Sequence, residues 1–174
     1  METFEEPKSI LKTISHPEDL RELSIGERFI MNNSEYEVDK IDDASEVGAN
    51  FGLKIERYVP IYYLKGMSSQ AQGGYHPKAD VVVIFENNTD ATTLEHELTH
   101  AVEYKFEPTP SLLALYEKAK QTITEESFDG NFFTFNFMKN IHEFIADGRT
   151  KLKPALQKEG LYEDFQKETS YIFD

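Results

Sequence analysis

The sequence predicts an α+β fold: a small mixed sheet packed on one central helix, followed by a helical C-terminal half. Three observations carry this. Strand-like runs fall in the first half, at 28–31, 36–41, 55–64 and 80–85. A helical pattern opens at Thr92, directly after the strongest of these runs. From Thr109 onward, cap-and-proline starts and apolar residues at helical spacing take over. The 174 residues suffice for one domain with its own core. It divides into a helical and strand part at 1–70, an edge strand and helix at 73–106, and a helical part at 110–174.

Composition narrows the chemistry. Cysteine is absent, which excludes disulfides and thiolate metal sites, so any metal must use imidazole and carboxylate. With 18 Lys and Arg against 32 Asp and Glu, the net charge is −14. That argues against nucleic acid and anionic membranes, and it would attract a basic peptide. The stretch Met1–Pro7 has neither a basic n-region nor an apolar h-region, and no run approaches the ~20 apolar residues of a membrane span. The expectation is no signal peptide, no membrane contact and, by default, an intracellular protein.

In order, residues 1–8 read as a tail and 9–23 as one or two short helices, with Pro17 at a helix start. His16, before that proline, reads as a turn residue. Arg28–Met31 and Tyr36–Ile41 read as strands around the turn Asn32-Asn33-Ser34, and 42–50 as a solvated polar connection without EF-hand spacing. The run 55–64 contains a strand broken near Pro60, and 66–74 reads as flexible. Asp80–Phe85 is either a central buried strand or one whose free edge holds an extended peptide. In the second case Val82 and Val83 bind substrate, with Tyr75 near the cleft.

The helix from Thr92 has a Thr92–Glu95 capping box with Asp90 as a rival cap, and Leu94, Leu98, Ala101, Val102 and Phe106 as its core stripe. Glu107-Pro108 stops it. On its other face His96 and His100 are one turn apart, since four residues rotate through about 400° and rise about 6 Å. Both imidazoles can therefore meet one metal ion. Glu97 stands beside them, placed to reach a bound water without being a ligand. His96-Glu97-Leu98-Thr99-His100 is the H-E-x-x-H arrangement of zinc metalloproteases, with Glu97 as general base.

A catalytic zinc needs a third protein ligand. Phe137, Met138, Ile141, Phe144 and Ile145 form the core side of a later helix, whose polar stripe is Asn136, Asn140, Glu143 and Asp147. Glu143 is the candidate ligand. Asp147, one turn on, is the candidate acceptor that orients a ligand imidazole. His142 is the rival ligand but points about 100° away from Glu143. The competing reading of this stripe is an ordinary exposed acidic face.

Together, His96–His100 and Glu143-Phe144-Ile145-Ala146-Asp147 resemble the gluzincin class of zinc metalloproteases. The gap between the motifs, and Gly74-Tyr75 before the strand that enters the helix, are most similar to the group of the anthrax lethal factor catalytic domain and the Pro-Pro endopeptidases. The resemblance spans roughly residues 73–148. It implies a zincin-like fold, a Zn²⁺ cofactor, endopeptidase activity and a peptide substrate that can contain proline. The family places an oxyanion-stabilising tyrosine two turns before its glutamate ligand. That position here is Asn136, which becomes the candidate catalytic donor. The alternative function is a weakly active or inactive zinc-binding interaction module that retains the fold.

Overall fold

The computed structural model describes residues 11–66, 71–90, 92–128 and 136–174. It is mixed α+β, with a six-stranded sheet and two short helical segments in the first half and the longer helices in the second. The strands are β1 (Lys12–Ile14), β2 (Arg28–Met31), β3 (Ser34–Asp43), β4 (Pro60–Gly66), β5 (Gly73–His76) and β6 (Val81–Phe85). Their order across the sheet is β1-β2-β3-β4-β6-β5, with β1/β2 and β4/β6 parallel and the other pairs antiparallel.

Local chemistry accounts for the turns. Asn32 and Asn33 both have positive φ (51° and 63°), the pairing that closes a two-residue hairpin whose twist suits β2 and β3. Asp80, also at positive φ (54°), turns the chain from β5 into β6 with its amide donating to the His76 carbonyl.

β6 is buried on both faces. Val82 and Ile84 point into a core shared with the helices, while Val81 and Val83 enter a second core with Phe29, Val38 and Leu64 on the far side of the sheet. Burial on both faces is why the strand reads as an unbroken apolar run. It also corrects the free-edge expectation. β6 is flanked by β4 and β5, so its backbone is used by two neighbours and the side chains of Val82 and Val83 have no route to a ligand. Among the described residues the edge on that side is β5, which carries Tyr75.

The helices are α1 (Ala44–Ala49), α2 (Thr93–Glu103), α3 (Pro110–Thr122), α4 (Ile141–Arg149), α5 (Lys153–Lys158) and α6 (Tyr162–Phe173). α1 replaces the expected polar connection; Asp43 caps it by accepting from the Ser45 amide at 3.0 Å. In the 9–23 region a short 3₁₀ helix, Pro17–Glu22, starts at Pro17 as expected, while β1 stands where a helix before it was expected. α3 starts as expected, with Pro110 in its first turn and Thr109 accepting from the Leu112 amide at 3.1 Å.

Phe144 centres the helical core. Its ring is fully buried, with Tyr116, Phe137 and Phe165 at centroid distances of 5.1, 6.4 and 5.4 Å. Burying such a side chain stabilises by about 1.5–3 kcal/mol. With Phe144 turned inward, the preceding residue, Glu143, lies about 100° round the helix and is only half-buried.

Candidate metal centre

α2 begins under the control of Asp90. Asp90 Oδ1 accepts from both the amide and the hydroxyl of Thr92, each at 2.8 Å, and Oδ2 lies 3.0 Å from Lys151 Nζ. Thr92 makes no side-chain cap bond, so the rival cap prevails over the expected Thr92–Glu95 box. Asp90 is held well below the usual carboxylate range: burial pushes it up, but its bonds to Thr92 and Lys151 outweigh that. The helix ends at Glu103, before the expected stop, and Phe106 is 40% exposed rather than part of the core stripe. Phe106 instead packs edge-on against Tyr171, with centroids 6.0 Å apart.

His96 and His100 leave the same face of α2 with ring centroids 4.9 Å apart and planes at 84°. Their Nε2 atoms converge on the Glu143 carboxylate, His96 at 3.2 Å from Oε2 and His100 at 2.9 Å from Oε1. Asn140 caps α4 by accepting from the Glu143 amide at 2.9 Å, which fixes where that glutamate leaves the backbone. One ligand atom from each of His96, His100 and Glu143 lies within 4.8 Å of the others, and this group can hold a metal ion. A tetrahedral ion with bonds of about 2.0–2.1 Å spaces its ligands by about 3.3 Å, and the two imidazole nitrogens stand 3.2 and 2.9 Å from the Glu143 carboxylate.

The opposite ring nitrogens have carboxylate partners of their own. His96 Nδ1 lies 2.9 Å from Asp147 Oδ1, and His100 Nδ1 lies 3.0 Å from Glu103 Oε1. Each imidazole thus donates from Nδ1 to a buried carboxylate and keeps Nε2 for the centre. Asp147 lies where the sequence predicts, against one of the two imidazoles. Glu103 was not foreseen, although its place three residues beyond His100 on one helix is the signal that could have found it.

Charge follows geometry. Burial opposes an imidazolium at His96, but bonds to Asp147 and Glu143 outweigh it and hold the pKa up to about 10. His100, with Glu103 and Glu143 against burial, is held up to about 9. Burial would raise Glu143, but its bonds to the two histidines drive it well below the carboxylate range. Glu97 is raised chiefly by burial, with His100 and His96 pulling the other way. Its Oε1 is 3.9 Å from His96 Nε2, beside the donor set rather than within it.

The centre opens into a cleft of about 1070 Å³. β5 borders it through Gly73, Gly74 and Tyr75, and Asn136 and Asn140 line it as well. Tyr75 is rigid, its hydroxyl donating to Asp80 Oδ1 at 2.6 Å, and its phenol is raised by burial and by that bond. Asp80 also binds Arg57 twice, at 2.6 and 2.7 Å, and Arg57 Nη2 donates to the Ala101 carbonyl of α2 at 2.8 Å. Asn136 begins a separate 3₁₀ turn, Asn136–Met138, and Asn140 is a cap, so the four-residue polar stripe reduces on α4 itself to Glu143 and Asp147. The Phe-rich run before Asn136 lies outside the described residues up to 135.

His142 is not among the converging donors. Its Nδ1 lies 2.7 Å from Glu103 Oε2, and its ring stacks on Tyr104 at 3.9 Å and 8°. Comparison with family models, with curated proteins and with solved structures finds no match for the chain.

Proposed function

We propose that this protein is a zinc-dependent endopeptidase of the gluzincin type, with a zincin-like fold. The observation that carries the reading is the count and setting of the donors. Structural zinc sites are closed by four protein ligands, whereas three ligands and an open position mark catalytic ones. Among the described residues three donors converge at an open cleft, with a second carboxylate, Glu97, beside them and outside the set. Imidazole and carboxylate donors without sulfur suit zinc.

When bound, zinc lowers the pKa of a coordinated water to about 7 and polarises a carbonyl. Glu97 takes the proton of the attacking water and passes it to the leaving amine. His96 and His100 are oriented by Asp147 and Glu103. The Asn136 amide, on the cleft wall, is the chain's candidate donor to the oxyanion. The substrate is a peptide that adds as a strand along β5 beside Gly73, Gly74 and Tyr75, rather than along β6. The net charge of −14 favours a basic peptide, and the resemblance to the Pro-Pro endopeptidases favours proline near the cleaved bond. No helix among the described residues is long and apolar enough to cross a membrane.

Digestion of a proteome-derived peptide library, read by mass spectrometry, tests the reading. The zinc-loaded protein should cut at a defined motif, and Glu97→Ala should keep zinc but cut nothing. Glu143→Ala should weaken zinc binding. Zinc-loaded wild type that cuts no peptide and binds no hydroxamate would favour the alternative, an interaction module in which zinc is a staple.

A further inference from the structure

We propose that His142 is a positioning residue of the metal centre: by holding Glu103 it orients His100, and it ties the helix bearing two ligands to the helix bearing the third. This rests on the zinc-site reading above and not on proteolysis.

Glu103 is 1% exposed and has two imidazoles on one carboxylate. Oε1 lies 3.0 Å from His100 Nδ1, while His142 Nδ1 lies 3.0 Å from the same oxygen and 2.7 Å from Oε2. A buried carboxylate held only by His100 could rotate and carry that ring with it; a second donor from another helix fixes the carboxylate plane. The bond spans 39 residues of sequence and joins the last residue of α2 to the first turn of α4. His142 immediately precedes Glu143, so a clamp on His142 fixes the part of α4 from which the third ligand departs.

The clamp has two parts. The edge of the ring bonds Glu103, and its face stacks on Tyr104, which lies one turn beyond His100 on the same side of α2. α4 is therefore held to α2 by one side chain in two directions, independently of any ion.

Two substitutions separate the parts. Asn carries its amide nitrogen at the same two-bond distance from Cβ as histidine Nδ1, so His142→Asn keeps the donor and loses the ring. His142→Phe keeps a stacking ring and loses the donor. Zinc affinity, measured by competition with a chromophoric chelator, should fall about 10–100-fold in His142→Phe and change by less than about threefold in His142→Asn. The visible spectrum of the Co²⁺-loaded protein should change in the first variant only. If His142→Phe binds zinc as wild type does, or if His142→Asn loses as much as His142→Phe, the proposal is overturned. Circular dichroism checks that each variant is folded. Should His142→Phe be unstable, His142→Leu replaces it, alone and combined with Glu103→Gln: a loss in the double variant equal to the sum of the two single losses means that His142 does not act through Glu103. Wild type that binds no zinc overturns this proposal and the zinc reading together, whereas zinc-loaded wild type that cuts no peptide overturns only the protease reading.

Discussion

His96 Nδ1 and Asp147 Oδ1 lie 2.9 Å apart, one on α2 and the other a full turn beyond Glu143 on α4. α4 therefore reaches the same imidazole twice, with Glu143 at Nε2 and Asp147 at Nδ1. A ring held by a carboxylate at each nitrogen has its plane fixed before any ion arrives, and the Nδ1 proton stays directed at Asp147 when an ion displaces the one on Nε2. The same pattern recurs at His100, where Glu103 comes from the ring's own helix. The centre is thus built from two imidazoles, each backed by a buried carboxylate, and one carboxylate facing both.

Asp147→Ala removes an acceptor that is 3% exposed and leaves His96 free to rotate or to change tautomer. Zinc affinity should fall about 10–100-fold, the usual cost of losing a partner that orients a metal-bound histidine. Asp147→Asn, whose amide oxygen still accepts the Nδ1 proton, should lose less. Chelator competition on the three proteins measures this directly. Equal affinity in wild type and Asp147→Ala would mean that packing alone orients His96.

Gly148 is the close-approach point of α4. A Cβ added there would meet Phe165 Cζ at 2.2 Å and Cε2 at 2.3 Å, and that ring is itself packed edge-on against Phe144. Two effects oppose each other in Gly148→Ala. Helix propensity favours alanine by up to about 1 kcal/mol, while overpacking a tight core costs about 1–3 kcal/mol. A clash below 2.5 Å with a buried ring makes the second larger, so the variant should be less stable, with Tm lower by roughly 2–8 °C. Thermal unfolding followed by circular dichroism would show it. A variant as stable as wild type would mean that Phe165 can move aside without cost.

Much of the centre was legible because its chemistry is local in sequence. His96, Glu97 and His100 lie within five residues on one helix, so helical geometry alone brings the two imidazoles together. Glu143 and Asp147 were found by the same rule, as positions one turn apart on a polar stripe. What could not be read is what depends on pairing across the sheet. Nothing in the run Val81–Phe85 distinguishes a strand with one free edge from a central strand, because burial on both faces gives the same apolar composition. The position of β5 beyond β6 decides it, and that is a tertiary fact. Short elements were misread for a related reason: β1 and α1, of three and six residues, are held by neighbours and one cap rather than by their own periodicity. His142 reads in the sequence only as a rival ligand because its bond to Glu103 joins two helices distant in sequence, whereas Glu103, one turn from His100 on the same helix, had a local signal.

Behind the cleft wall, Arg57, Asp80 and Tyr75 join the loop before β4, the β5–β6 turn and the edge strand. Asp80 is pulled below the usual carboxylate range: burial pushes its pKa up, but two bonds from Arg57 and one from Tyr75 outweigh it. A carboxyl with a lowered folded-state pKa adds stability in full above its unfolded value of about 3.9, and loses that contribution as pH falls through the folded value. Asp80→Asn should therefore lower stability by about 1–3 kcal/mol at pH 7, the scale for hydrogen bonds to a charged group. The gap to wild type should stay constant from pH 7 to about 5 and close as the pH drops below about 4. Urea unfolding of both proteins at a series of pH values gives this difference directly. Because Arg57 also bonds the Ala101 carbonyl on α2, the variant should in addition loosen Tyr75 against the cleft while leaving the donors His96, His100 and Glu143 in place. Zinc affinity should then hold near the wild-type value even though stability falls. A pH-independent gap, or a loss of zinc affinity as large as that of Asp147→Ala, would show that Asp80 acts on the metal helix rather than on the wall.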